Sequence, residues 1–408
     1  MQTPYGHLTY CTNIHGGETW RDHFAALKAH FPVIRAQVAP DQPMGIGLRL
    51  SDRASRELSD PQTLAEFKAW LTDQGGYVFT MNGFPFGAFH DEVVKADVHA
   101  PDWTTDERVA YTLRLADLLA ELLPEGMDGG ISTSPLAYRH WYNATAGDWS
   151  AMRKRATQHI ADVAGRLVEI EREQGKVLHL DIEPEPDGVL ESGLEFIDWF
   201  EGELVPEGIS TLTSRFGFTP AAAEAAVKKH IRLCYDVCHF ALGYEVHARV
   251  IEALARHGIQ IGKFQLSAAV GAHLPTDQNG RRAIGEAFMA FDEPTYLHQV
   301  LARHRDGSVL RFRDLPEAQE RLYDAEATEW RAHFHVPVFF EDLGLLTSTR
   351  ADIARVLQLQ RDQLLTGHLE VETYTWQVLP PHLQLPIAGS ISRELNWVLD
   401  ELKKTVNS

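Results

Sequence analysis

The chain has 408 residues, 44% of them hydrophobic, and carries a net charge of −19 at pH 7. A chain this long accommodates an α/β barrel with insertions as readily as two ordinary domains. Its charge repels phosphate backbones, which weighs against nucleic acid as a partner, and no apolar run reaches the ~18–20 residues of a membrane span.

The opening MQTPYGHLTY lacks a basic region followed by an apolar core, so no secretory leader is expected and the cytoplasm is the expected compartment. Cys11, Cys234 and Cys238 lie on or beside apolar runs. An odd, sparse set without CxxC spacing fits core thiols in a reducing compartment.

Residues 7–15 read as a first strand that turns at Gly16 and Gly17, and residues 20–30 have helical spacing. Residues 44–50 read as a second strand. A helix over 60–72 follows, with Leu64, Phe67, Trp70 and Leu71 on one face and Asp60-Pro61 as its start. Residues 75–84 form strand three, and a long aromatic loop through Phe89, His90 and Trp103 follows it. Such a loop suits the cover of a substrate site. Helix 105–123, strand 128–134 and helix 148–174 come next.

The stretch KVLHLDIEPEP, residues 176–186, is apolar in its body and acidic at its end. Asp181, Glu183 and Glu185 alternate, so an extended backbone points them to one side. That pattern suits a parallel strand whose carboxyl end faces a ligand. Helices over 194–203 and 220–230, strand 231–238, helix 244–257 and strand 259–267 continue the alternation. Residues 268–330 read as a long, charged, mixed segment with a helix at 294–304, and 331–340 as extended chain. Helix 347–365, strand 368–376 and helix 391–402 close the series. Eight strand–helix alternations predict a single (β/α)8 TIM barrel over residues 1–408, with residues 268–346 inserted between strands seven and eight and covering the mouth. An open doubly wound sheet fits less well, because no GxGxxG or GxxxxGK[ST] follows strand one.

Four strand ends carry metal-ligand chemistry: Glu183 on strand five, Asp236 and His239 (a D-x-x-H) on strand six, Gln265 on strand seven, and Glu370 and Glu372 on strand eight. His333 and His335 precede the last of these. Carboxylates with imidazoles favour Zn2+, Mn2+ or Fe2+ over Ca2+. Each residue also has a structural reading: Asp236 as a helix cap, His333 and His335 on a half-exposed edge strand, Glu370 paired with a basic neighbour. His15, Asn82, His90, His333 and Glu185 are candidate substrate contacts around the same mouth.

IEP after strand five, DxxH after strand six and the xET end of strand eight resemble the xylose-isomerase-like TIM barrels, a superfamily of sugar isomerases, epimerases and endonuclease IV-type phosphodiesterases. TYCTNIHGGETW, NGFPFGAFH, VKADVHAPDW, DEPTYLHQV, HFHVPVF and HLEVETYTW are similar to blocks of the metabolite traffic protein EboE family. The resemblance implies a divalent metal held by Glu183, Asp236, the strand-seven position and Glu372, with His239 on substrate or metal. Gln265 stands where the superfamily usually has histidine, and His335 is the expected compensating ligand. The implied activity is a metal-dependent isomerase or epimerase of a sugar-like small molecule in a biosynthesis and export pathway, with Glu183 and Glu372 as acid and base. A phosphoester hydrolase and a non-catalytic carrier of a pathway intermediate are the alternatives, and other proteins of that pathway are the implied partners.

Overall fold

The computed structural model describes residues 1–87, 94–142, 145–292, 294–374 and 386–404. Eight parallel strands make the barrel: β1 (Gly6–Tyr10), β2 (Met44–Arg49), β3 (Gly76–Asn82), β4 (Gly129–Thr133), β5 (Leu178–Ile182), β6 (Ile231–Asp236), β7 (Ile261–Leu266) and β8 (His368–Val371). Their order is β1-β8-β7-β6-β5-β4-β3-β2. The seam between β1 and β2 closes through side chains and a single parallel bridge, Cys11 to Gly47. The Thr9 hydroxyl donates to Gly45 O at 2.8 Å and accepts from Gly47 N at 3.0 Å. Thr12 Oγ1 accepts from Arg49 N at 2.9 Å. Two threonine hydroxyls thus replace ladder bonds where the strands diverge.

Helices follow the strands as the spacing predicts, with local signals at their ends. Asp60 caps Pro61–Gln74 by accepting from Thr63 N at 2.9 Å, and Gly75 ends it at φ 61°. Gly175 closes Ala146–Gln174 in the same left-handed way. The first helix runs past residue 30 to Val38 and through Pro32, because Phe31 and Ile34 bury on its far turns and offset the bond Pro32 cannot make. The first strand stops at Tyr10, and Thr12–Ile14 is a 3-10 turn. Asp52–Leu58, Val205–Phe216 and Gln278–Met289 are helices that the sequence reading does not contain.

The larger correction is the segment after β7. It is a six-stranded antiparallel sheet in the order Val309–Phe312, Val300–His304, Ala327–Val336, Ala268–His273, Leu346–Ser348, Asp342–Leu343. The helix expected at 294–304 is instead the strand Val300–His304, paired on both sides. Its leucine, alanine and arginine favour helix locally, and cross-strand pairing overrides them. Ala327–Val336 is central in this sheet, so His333 and His335 are not on an edge strand. Between Ala332↔Val270 and Val336↔Ala268 the register shifts, leaving His333, Phe334 and His335 opposite one residue. That bulge bends the strand over the barrel mouth.

The barrel axis is polar. Lys263 Nζ pairs with Glu370 and donates to Ser132 Oγ at 3.0 Å, all three fully buried. Gly47 leaves the space: a Cβ there would sit 1.7 Å from Glu370 Oε1. Glu370 therefore takes its ion-pair reading.

Candidate functional site

The carboxyl ends of β5 to β8 deliver their side chains to one point. Gln265 Nε2 lies 3.0 Å from Glu183 Oε1, 2.9 Å from Asp236 Oδ2 and 2.5 Å from Glu372 Oε2. An amide has two hydrogens, so it cannot satisfy three ionised carboxylates at once. Burial pushes the Glu183 carboxyl well above its usual range, and the charges of Glu372 and Asp236 push it further. Burial also opposes ionisation of Asp236, but His239, His335 and the Ser267 hydroxyl hold its carboxyl below the usual range. Asp236 caps the short helix Val237–Leu242 through His239 N at 3.1 Å and accepts from Ser267 Oγ at 2.6 Å. It is a cap and a member of the cluster together.

Histidines from two elements flank the carboxylates. His239 Nδ1 lies 2.8 Å from Pro184 O, a pure acceptor, so Nδ1 carries the proton. Nε2 is then a lone-pair donor in the neutral ring, and burial keeps the imidazole below its usual value. Its Nδ1 is 3.9 Å from Glu183 and its Nε2 3.9 Å from Asp236. His335 Nδ1 lies 3.1 Å from Glu372 Oε2, and His335 Nε2 is 4.0 Å from Asp236 Oδ2. Burial opposes its charge, yet Asp236, Cys238 and Glu372 lift it well above the usual histidine value. His333 Nε2 is 3.3 Å from His335 Nε2, and His333 Nδ1 is 2.9 Å from Gln299 Oε1. Burial and the neighbouring His239 and His335 push His333 well down. Protons therefore order as Gln299 accepting from His333, His333 accepting from a cationic His335, and His335 facing Glu372.

A cavity opens above this cluster, lined by Glu183, Glu185, His239, His333, His335 and Glu372 among others. Asn82 lines it and donates to Glu372 Oε1 at 2.9 Å. Burial pushes Glu185 up to about 8, against the pull of His335; its Oε2 lies 3.6 Å from His99 Nε2. His15 stands outside the cavity: it contacts Tyr10 OH at 3.2 Å and stacks on His30 with centroids 5.0 Å apart. A tight neighbour on its own strand end, not the mouth, takes its ring. His90 lies outside the described residues. Lining groups that escape the sequence reading include Asn13, which donates to Glu372 Oε1 at 2.6 Å, His99 and Gln299. Each sits inside a block singled out for resemblance, which was the available signal.

The donor set fits a hard-to-borderline divalent cation. Three buried carboxylates face a single neutral amide, and imidazoles stand beside them. Amide oxygen and nitrogen are told apart only by their partners, and half a turn of Gln265 presents Oε1 as a ligand.

No protein-family model matches the chain, and no curated protein matches it. Solved structures do. A xylose isomerase-like TIM barrel protein from Mycobacterium smegmatis in complex with magnesium aligns over 98% of both chains at 10% identity and a TM-score of 0.50. The IOLI protein with a zinc atom aligns over 98% of this chain and 100% of its own, at 11% identity and a TM-score of 0.47. The 3-keto-D-glucoside 4-epimerase YcjR from E. coli aligns over 96% and 98%, at 11% and 0.43. The fold is thus a xylose isomerase-like TIM barrel with a long insertion between strands seven and eight. Among the described residues no helix is long and apolar enough to cross a membrane.

Proposed function

We propose that the chain is a metal-dependent isomerase or epimerase of a polyhydroxylated carbonyl compound, with Glu183, Asp236, Gln265 and Glu372 as the cation's ligands and His335 or His239 beside them. The observation that carries this reading is the meeting of three buried carboxylates at one amide beneath a cavity. A cation bound there would polarise the substrate carbonyl and hold the adjacent oxygen. Glu372, steadied by Asn13 and Asn82, takes the proton from the carbon next to the carbonyl. Glu183 returns one to the neighbouring carbon or to the opposite face of the same carbon. His239, neutral with Nε2 free as an acceptor, takes a hydrogen bond from a substrate hydroxyl. Asn82, Glu185 and His333 line the cavity where the remaining hydroxyls would lie, and residues 268–346 supply its roof. The resemblance of TYCTNIHGGETW and HLEVETYTW to the EboE blocks supports a substrate, and protein partners, from a small-molecule biosynthesis and export pathway.

Incubation of the Mn2+- or Zn2+-loaded protein with ketohexoses in D2O, read by NMR, tests this. Deuterium should enter the carbon next to the carbonyl, and Glu372→Gln should slow that entry by about 10²-fold or more. Metal binding without exchange into any ketose or aldose tried would refute the reaction class. A second reading has its own observation: the Gln265 amide already bridges the three carboxylates, which suits a metal-free barrel that binds and hands on an intermediate. No affinity for divalent metal in wild type would favour it.

A further inference from the structure

The opposite end of the barrel holds a second set of ligand-type side chains that the proposed reaction does not use. Asp128 immediately precedes β4, His179 is the second residue of β5, and His368 opens β8. They meet at the amino-terminal base, one barrel length from Glu183 and Glu372. His368 Nε2 is 3.3 Å from Asp128 Oδ1, and His179 Nε2 is 3.6 Å from Asp128 Oδ2. Their ligand atoms all lie within 4.8 Å of one another. Two ligands about 2.0–2.1 Å from a tetrahedral zinc stand roughly 3.3 Å apart, so this spacing suits one cation.

Three further observations point the same way. First, His179 and His368 are 0% and 1% exposed, yet His179 Nε2 and both ring nitrogens of His368 have no hydrogen-bond partner of acceptable geometry. Buried polar atoms left so are costly. Second, His179 Nδ1 lies 2.6 Å from Asp181 Oδ1, and a carboxylate there fixes the proton on Nδ1. Nε2 is then the ring atom that a cation beside Asp128 would take. A ring held by a carboxylate behind and aimed at a cation in front is the usual support of a metal-bound histidine. Third, the barrel makes room for that support. A Cβ on Gly262 would lie 1.9 Å from Asp181 Oδ1, and one on Gly130 would lie 2.5 Å from His179 Cε1. Arg232 Nη1 anchors Asp128 Oδ2 at 2.9 Å, and the Asp128 side chain is 39% exposed, so the site opens directly to solvent.

We propose that Asp128, His179 and His368 bind a zinc-class divalent cation at the base of the barrel, with water completing its shell and Asp181 positioning His179. The ion ties β4, β5 and β8 together at the end away from the cavity, and its role is structural. It is independent of the cation proposed at the mouth, and it stands if that one fails.

The test uses the full chain, stripped with a chelator and titrated with Zn2+ against a chromogenic competitor, alongside its melting temperature. Wild type should take up one tight equivalent that Glu372→Gln retains and that Asp128→Asn and His368→Gln each lose. Zinc should raise the melting temperature of wild type and Glu372→Gln, and Asp128→Asn and His368→Gln should each lose the part of that rise that Glu372→Gln keeps. Asp181→Asn should keep the equivalent with affinity weakened about 10–100-fold. Asp128→Asn changes a partly exposed side chain, so it remains informative if a buried histidine variant fails to fold. Unchanged zinc stoichiometry in Asp128→Asn, or a wild type whose only tight zinc is lost in Glu372→Gln, would overturn the proposal. It would then leave His179 as an imidazolium between two aspartates.

Discussion

Gln265 is the residue on which the mouth turns. Its nitrogen stands where three carboxylates converge, so whatever replaces it sets the charge balance of the site. Imidazole is a better ligand than an amide oxygen for zinc-like ions, so Gln265→His should tighten Zn2+ or Mn2+ at the mouth by roughly an order of magnitude. Calorimetric titration in the Asp128→Asn background isolates that site; unchanged or weaker affinity would remove Gln265 from the ligand set. Glu394 offers a test of a different kind. It is buried behind the site, accepting from Thr373 Oγ1 at 2.6 Å and Val338 N at 3.1 Å, and burial pushes its carboxyl up to about 8. The folded state therefore keeps a proton that the unfolded chain releases above its ordinary carboxylate value. This acid favours the unfolded state as pH rises from about 4.5 to about 8, by about 1.4 kcal/mol per pH unit within that window. Glu394→Gln should be no more stable than wild type at pH 4.5 and increasingly more stable toward pH 8, as urea unfolding would show. A stability difference independent of pH would mean Glu394 is ionised in the fold. At this scale Glu183, Asp236 and Glu372 were legible, because a carboxylate after an apolar strand announces a strand end, and His239 and His335 were legible only through their DxxH and HxH spacing. Asn13 and Lys263 were not: their partners, Glu372 and Glu370, lie 359 and 107 residues away, and only the closed barrel makes them neighbours.

Among the elements, the barrel strands were legible because they are short apolar runs with amphipathic helices between them, while the inserted sheet was not. Val300, Leu301 and Ala302 are all buried, so Val300–His304 shows no period-2 alternation, and its composition favours helix. The bulge at His333 to His335 is likewise invisible in sequence, since it exists only in register with Ala268–His273. The β1–β2 seam is a third such feature and a weak point. Thr9→Val keeps the shape but leaves Gly45 O and Gly47 N without their shared hydroxyl. Each buried group left unpaired costs about 1–3 kcal/mol, so the variant should lose roughly 2–4 kcal/mol in denaturant unfolding. Thr9→Ser, which restores the hydroxyl, should recover most of it. Equal losses in both variants would mean that the methyl group, not the hydroxyl, closes the barrel.

At the scale of the molecule, barrel and inserted sheet share their surfaces. Ala268–His273 leaves β7 after the single residue Ser267, and apolar side chains of both parts, such as Leu266 and Val336, belong to one continuous core. Tyr244 OH donates to Leu301 O at 3.1 Å, and Val338 N donates to Glu394 on the last helix, Ile387–Lys403. The cavity itself is half barrel and half sheet, Glu183 and Glu372 below, His333 and His335 above. We propose on this basis that residues 1–408 unfold as one domain. A sheet that parted first would bare Val270, Phe334 and Val336, each at most 1% exposed, and strip the roof from the carboxylates. The apolar area lost couples the two parts more strongly than chain connection alone. Urea unfolding followed by far-UV circular dichroism should therefore coincide with the fluorescence change attributable to Trp330, obtained by difference from Trp330→Phe. An earlier Trp330 transition, with barrel helicity retained, would separate the sheet as its own cooperative unit.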